Sequence, residues 1–173
     1  MNPAVVSVLI FCIPAAWCDL RSRRIPNVIP ALLLACGVVE ALLRGWQTAA
    51  MLAGIVAVAL LAGTLAFSLR LIGGGDVKLL AAAAGTLGFP TCVPFLLFTM
   101  LSGGILALAI AAMRGRLAVT LGNVQALTLP LLAGVRPARI ERGIAMPYAL
   151  AIFAGAACTA SVNAFAPHLR LIP

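Results

Sequence analysis

Apolar segments long enough to cross a lipid bilayer follow one another along almost the whole chain, and most charged residues lie in the short stretches between them. Hydrophobic residues make up 64% of the sequence and charged residues only 9%, whereas a soluble domain is about 45–50% apolar and about 25% charged. The composition therefore excludes an ordinary soluble domain. It predicts an integral membrane protein whose spanning elements are α-helices.

The hydropathy pattern predicts an all-α, polytopic fold of six transmembrane helices with the N-terminus outside. The predicted spans are Pro3–Cys18, Val28–Leu43, Ala49–Ser68, Val77–Cys92, Val93–Met113 and Met146–Phe165. No basic residue precedes the first segment and no small-x-small cleavage site follows it, so we expect it to remain as a span.

The basic residues test this topology, because Lys and Arg accumulate on cytoplasmic loops. Six spans place ten of the twelve inside and leave only Arg44 and Arg170 outside. Merging the fourth and fifth segments would put six on each side, and counting Leu117–Val135 as a further span would give eight and four. We therefore expect Leu117–Val135 to be an interfacial or partly re-entrant cytoplasmic segment, with a seventh span as the alternative.

The chain is predicted to form one membrane domain over residues 1–173. It contains no internal repeat, no low-complexity linker and no separate soluble region. Its net charge of +8 follows mostly from the basic cytoplasmic loops, so the expected partner is the lipid bilayer and no nucleic acid is expected.

Only four carboxylates occur in the chain, Asp19, Glu40, Asp76 and Glu141. The predicted topology places Asp19 just after the first span and Asp76 just before the fourth, both on the cytoplasmic side. Two Asp residues at one face of a bilayer are the minimum for an intramembrane aspartyl protease, because an ionised one takes a proton from water while a neutral one donates to the peptide carbonyl. The two Glu residues are interpreted as interfacial charges.

Each Asp also has a structural interpretation. Three glycines before Asp76 allow a substrate backbone to approach closely, but they also fit a simple turn with an N-capping Asp and a snorkelling Lys78. Asp19, followed by three arginines, equally fits an ordinary positive-inside loop. The pair in its order and spacing, rather than either residue alone, favours a catalytic site.

Together the two motifs resemble those of the prepilin peptidases, the type IV leader peptidases of the Gly-x-Gly-Asp group of aspartyl proteases. That family has an Asp at the cytoplasmic end of an early span, then basic positions and an Ile-Pro-Asn turn, and later Gly-x-Gly-Asp-x-Lys. The matching residues are Asp19, Arg21, Ile25, Pro26 and Asn27, then Gly73, Gly75, Asp76 and Lys78. The resemblance implies that the two Asp residues are catalytic.

The other matching positions are candidates for binding or positioning substrate: Gly73, Gly75, Lys78, Arg21 and Asn27. For the last three, anchoring of a loop is the alternative. The stretch Met146-Pro147-Tyr148 also resembles a Pro-Tyr-Gly stretch of the family, but Ala149 stands where glycine is common, and no role in the site is predicted for it.

Within the family the chain resembles the small Flp/Tad-type members, often called CpaA or TadV. Larger bifunctional members carry a soluble region with Cys-x-x-Cys pairs and also N-methylate the trimmed pilin. The five cysteines here form no such pair, so neither a zinc site nor a methyltransferase domain is predicted. Peptidase activity without a metal or other cofactor is the expectation.

The resemblance further implies a prepilin substrate, cleaved after a glycine where its cytoplasmic leader meets its apolar helix, for pilus or type II/Tad secretion assembly. The enzyme would be a multi-pass protein of the inner (cytoplasmic) membrane with its active site facing the cytoplasm. Two alternatives from other classes are a small transporter and a non-catalytic pilus or secretion assembly component. The sequence does not predict an oligomeric state.

Overall fold

The computed structural model describes residues 3–69, 72–115, 117–119, 122 and 148–165, and within them the regular structure is helical, with no strand. The helices bounded in this part of the chain are α1 Pro3–Ser22, α2 Val28–Arg44, α3 Trp46–Ser68, α4 Gly74–Leu87, α5 Cys92–Met113 and α6 Tyr148–Phe165. The predicted all-helical fold is confirmed. Most of Leu117–Val135 lies outside the described residues.

Helices α1, α3 and α5 are each long and apolar enough to cross a bilayer, and α6 is a shorter apolar helix. The predicted separation of the fourth and fifth segments is also confirmed, although the break falls earlier than expected. Helix α4 ends at Leu87, Gly88 follows with φ +67°, and α5 already begins at Cys92. A glycine with positive φ is a common way to end a helix, since it has no Cβ to clash with the preceding carbonyl.

The chain divides into two compact units, residues 1–103 with 147–173 and residues 104–146. In the first unit the short helix α4 packs against α2 and α3, and also contacts α1 and α6. Its alanine-rich sequence suits this central place, because small side chains let neighbouring helices approach closely. Leu79, Ala83 and Ala84 of α4 are fully buried.

Large apolar side chains on the outer helices are exposed, as expected where a helix faces lipid. Trp17 of α1, Leu61 of α3 and Met100 of α5 are all more than half exposed. The buried core beneath them combines residues of α1, α2, α4, α5 and α6, with Val8, Leu33 and Phe95 fully buried. This core holds the C-terminal end of α1 against α4 and α6, the three helices that carry the candidate site.

Candidate active site

Asp19 lies in the last turn of α1 and is only 6% exposed. Its Oδ2 accepts a hydrogen bond of 3.0 Å from the backbone N–H of Ala149, in the first turn of α6. An N–H in the first turn of a helix has no partner inside that helix, and the positive end of the helix dipole favours an anion there. The start of α6 therefore holds the Asp19 carboxylate in place.

Asp76 is the third residue of α4, with Gly73 at the N-cap. Asp76 therefore does not occupy the N-cap position itself, but its carboxylate still caps the helix start, because it reaches back and accepts a hydrogen bond from the backbone of Gly73. This is one half of a capping box. The other carboxylate oxygen, Oδ1, is buried and has no hydrogen-bond partner among the described residues.

The two carboxyl groups are close enough for the charge of Asp19 to act on Asp76. Asp76 precedes the segment predicted to cross the bilayer, and its pKa is raised to about 7. Burial is the largest cause, the negative charge of Asp19 adds to it, and the hydrogen bond from Gly73 opposes both. Asp76 therefore holds a proton through mildly acidic pH and loses it as the pH rises through neutrality.

The two sequence motifs contact each other directly. Lys78 Nζ donates a hydrogen bond of 3.0 Å to Asn27 Oδ1, which joins α4 to the residue before α2. Gly75 lies against Ile25, whose Cβ would be 3.3 Å from a Cβ placed on the glycine. Lys78 is thus bound to Asn27, and within the described part of the chain it forms no ion pair with Asp76.

Gly73 leaves room for the Asp76 carboxylate. A Cβ at this position would lie 2.7 Å from Asp76 Oδ2, closer than real Cβ atoms approach other heavy atoms. Any other residue would push the carboxylate out of its present position or block the N–H that it accepts from. Of the five candidate positioning residues, Gly73 thus lies against the Asp76 carboxylate, Gly75 lies against Ile25, and Lys78 is bound to Asn27.

Arg21, the fifth candidate, is not brought in. It is exposed on the last turn of α1, and it makes no hydrogen bond or ion pair within the described residues. Its side chain binds no acceptor among the described residues, so the loop-anchoring alternative gains no support there either.

Two residues of α6 join the site without having been predicted. One is Ala149, through its amide. The other is the half-buried Tyr148, which interacts electrostatically with Asp76. The Tyr148 Oη would be 3.4 Å from a Cβ placed on Gly103. One usable signal for them is present in the sequence, the Pro147-Tyr148 start of the last apolar segment. A backbone N–H leaves no signature of its own, because every residue except proline has one.

No group of three or more His, Cys, Asp or Glu side chains in the described residues is arranged to hold a metal ion. The arrangement instead offers two carboxyl groups in one partly buried site. Asp19 accepts a hydrogen bond from the N-terminus of α6, and the pKa of Asp76 is about 7. Such a pair can accept one proton and donate another in a single reaction.

Comparison with protein families agrees with this chemistry. The sequence model of the type IV leader peptidase family matches residues 6–108, which is more than half of the chain and includes both Asp19 and Asp76. Searches of curated proteins and of solved structures find no significant match. The matched region ends before α6, so the contacts made by Ala149 and Tyr148 come from the structure alone. On the extent of this match, the chain belongs to the type IV leader peptidase family, a family of membrane-embedded proteases.

Proposed function

We propose that this chain is an intramembrane aspartyl endopeptidase that removes the leader peptide of prepilins at the cytoplasmic border of the inner membrane. The observation that carries the proposal is the meeting of Asp19 and Asp76, from different helices and different motifs, in one site where the charge of one raises the pKa of the other. A structural turn or a positive-inside loop would not need the second Asp.

The reaction follows from the two carboxyl groups. One of them, ionised, takes a proton from a water molecule, whose oxygen attacks the scissile carbonyl carbon. The other, protonated, donates to the carbonyl oxygen, and the resulting tetrahedral diol collapses when the amine nitrogen receives the first proton. The C–N bond breaks, one water is consumed, and both carboxyl groups return to their starting states.

The substrate class rests on the family. A prepilin has a short cytoplasmic leader followed by an apolar helix in the membrane, so the bond between them lies at the depth predicted for the two Asp residues. We propose the small Flp/Tad-type pilins as substrates, because the residues of this chain resemble that subtype and include no Cys-x-x-Cys pair. The product would serve pilus or Tad secretion assembly.

Co-expression tests the proposal in cells. The protein is produced with a Flp-type prepilin in a host that lacks its own prepilin peptidases, and precursor size is followed by immunoblot. A prepilin with the glycine at the leader border replaced by a bulky residue is the matched control substrate. We expect the first precursor to be shortened and the second to stay intact. An intact first precursor, with the protein present in the membrane, would favour the transporter or assembly-component alternatives.

The Lys78–Asn27 hydrogen bond gives a further prediction. Lys78→Ala and Asn27→Ala should each slow cleavage several-fold, because either change frees the turn before α2 from the first turns of α4. The double variant should be little worse than the slower single variant, with a coupling of about 1 kcal/mol between the two positions. Cleavage rates of the four proteins give this value.

Fully additive effects in that comparison would show that the two side chains act independently. The variants Arg21→Ala and Lys78→Ala form a useful pair, since Arg21 is also a basic residue of the two motifs but has no partner among the described residues. A large loss of activity in Arg21→Ala alone would indicate a direct contact with substrate instead.

A further inference from the structure

We infer that the N-terminus of α6 assigns different roles to the two aspartates: the Ala149 amide holds Asp19 as the ionised general base, and Asp76 is the protonated general acid. This inference rests on the proposed function, and it goes further by naming which carboxyl group does what. Ala149 becomes a positioning residue that acts through its backbone N–H and not through its side chain.

Asp19 is held by the start of α6. It is almost fully buried, and a buried carboxylate is costly unless hydrogen bonds compensate for the lost water. The Ala149 N–H can only donate a hydrogen bond, so it stabilises the carboxylate form of Asp19 more than the neutral acid. Its place in the first turn of α6 adds the positive end of the helix dipole, which also favours the charged form.

Asp76 has one oxygen without a hydrogen-bond donor among the described residues. This oxygen, Oδ1, is buried. A negative charge on such an oxygen is costly, whereas a protonated oxygen there can donate a hydrogen bond to an acceptor that binds later. A substrate carbonyl oxygen would be such an acceptor. The raised pKa of Asp76, caused mainly by burial and then by the charge of Asp19, points in the same direction.

Neighbouring groups do not reverse this asymmetry. Lys78, the basic residue of α4, donates to Asn27 and not to Asp76. Tyr148 of α6 lies near Asp76 and is neutral at neutral pH, so it adds no positive charge there. Arg21 of α1 is exposed, and α3 and α5 carry no acidic or basic residue. Each carboxyl group accepts one backbone N–H at the start of a helix, Asp19 from Ala149 and Asp76 from Gly73, and the buried Oδ1 of Asp76 without a partner among the described residues is what distinguishes them.

In the reaction, Asp19 therefore takes the proton of the attacking water and later passes it to the amine nitrogen of the leaving fragment. Asp76 gives its proton to the carbonyl oxygen and recovers it when the diol collapses to the new carboxyl terminus. Electrons and protons balance without any other reactant, and the enzyme ends with Asp19 ionised and Asp76 protonated. Each turnover thus restores the state that the α6 amide favours.

The composition of the chain permits a direct test. Asp19 and Asp76 are its only aspartates, so protein labelled with carbon-13 at the Asp side-chain carboxyl gives two resonances by NMR. Asp19→Asn and Asp76→Asn assign them. We expect the Asp76 signal to shift as the pH crosses neutrality and the Asp19 signal to keep the position of a carboxylate over the same range. The reverse order, or two signals that move together, would overturn the inference.

A second test removes the donor itself. Ala149→Pro deletes the N–H at a first-turn position, where proline is tolerated better than elsewhere in a helix, and Ala149→Gly keeps the N–H as the matched control. In Ala149→Pro the cleavage rate should fall about tenfold or more. The pH at which the Asp76 signal shifts should also fall, because the charge of Asp19 that raises the pKa of Asp76 is no longer held beside it. Wild-type behaviour of a folded Ala149→Pro would overturn the inference.

These readouts separate the inference from the proposed function. Absence of prepilin cleavage would defeat the proposed substrate or activity, while the two carboxyl resonances of the wild-type protein would still report which Asp carries the proton. Cleavage together with a protonated Asp19 would leave the protease intact and defeat only the assignment. Should Ala149→Pro not fold, the wild-type titration decides alone.

Discussion

Replacing Asp19 or Asp76 by Asn is expected to lower the rate of prepilin cleavage at least about a thousandfold in each single variant. Asn has nearly the shape of Asp but cannot take a proton from water or donate one as an acid. Because the two carboxyl groups act in one proton cycle, the double variant should be no slower than the single ones. The measurement is the initial rate of cleavage by purified protein in liposomes.

Glu40→Gln is the matched control for these variants. Glu40 forms an ion pair with Arg44 on the surface of α2, one turn along the same helix, and it has no contact with the site residues. An exposed pair of this kind contributes little to stability. Removing this acid should leave cleavage unchanged. Equal losses in Glu40→Gln and Asp76→Asn would mean that the assay reports expression or insertion rather than catalysis.

Gly155→Ala is expected to give the largest loss of stability among glycine-to-alanine substitutions in the described helices. Gly155 of α6 lies directly against Thr99 of α5, and an added Cβ would be 2.8 Å from the backbone N and 2.9 Å from the Cα of Thr99. A side chain can rotate away from such a clash, but a backbone cannot. We expect the free energy of unfolding to fall by about 2–3 kcal/mol, as in other overpacked cores.

The experiment is reversible unfolding in detergent micelles, followed by circular dichroism. Gly54→Ala in α3 is the control, since no atom lies within 4 Å of the added Cβ and alanine favours a helix more than glycine does. This variant should be as stable as wild type or slightly more stable. If both substitutions behave alike, α5 and α6 do not pack as closely at Gly155 as described.

The sequence was sufficient for the two catalytic candidates because their signal is rarity and position. Both Asp residues lie near the ends of apolar segments, and hydropathy with the distribution of basic residues predicts them on one side. The resemblance of their two motifs to those of one family then favoured the catalytic interpretation over the structural one. The same signals predicted an all-helical membrane fold and the break between α4 and α5, where glycine and proline interrupt the apolar pattern.

Helix boundaries were predicted less well, for a physical reason. Hydropathy measures apolar content, and a short helix surrounded by other helices is as apolar as one that faces lipid. Helix α4, predicted as a span over Val77–Cys92, is the 14-residue helix Gly74–Leu87 with most of its residues buried. Its first turn includes Gly74 and Gly75, two of the three glycines that also fitted a simple turn.

Contacts between distant residues could not be predicted. The Lys78–Asn27 hydrogen bond joins positions 51 residues apart, and the contact between Ala149 and Asp19 joins positions 130 apart. Either pair forms only once α1, α2, α4 and α6 have packed. Arg21 shows the opposite case, because a position that fits the family motif has no partner within the described residues. Motifs name candidate residues, and packing decides which of them meet.

The central claim is that Asp19 and Asp76 together hydrolyse one bond of a prepilin. The most direct test is mass spectrometry of the products after purified wild-type protein, reconstituted in liposomes, has acted on a Flp-type prepilin in water enriched in oxygen-18. We predict two fragments that meet after the glycine at the leader border, with one heavy oxygen in the new carboxyl terminus, and intact prepilin with either Asn variant. An unchanged prepilin with folded wild-type protein, or the same two fragments from an Asn variant, would contradict the claim.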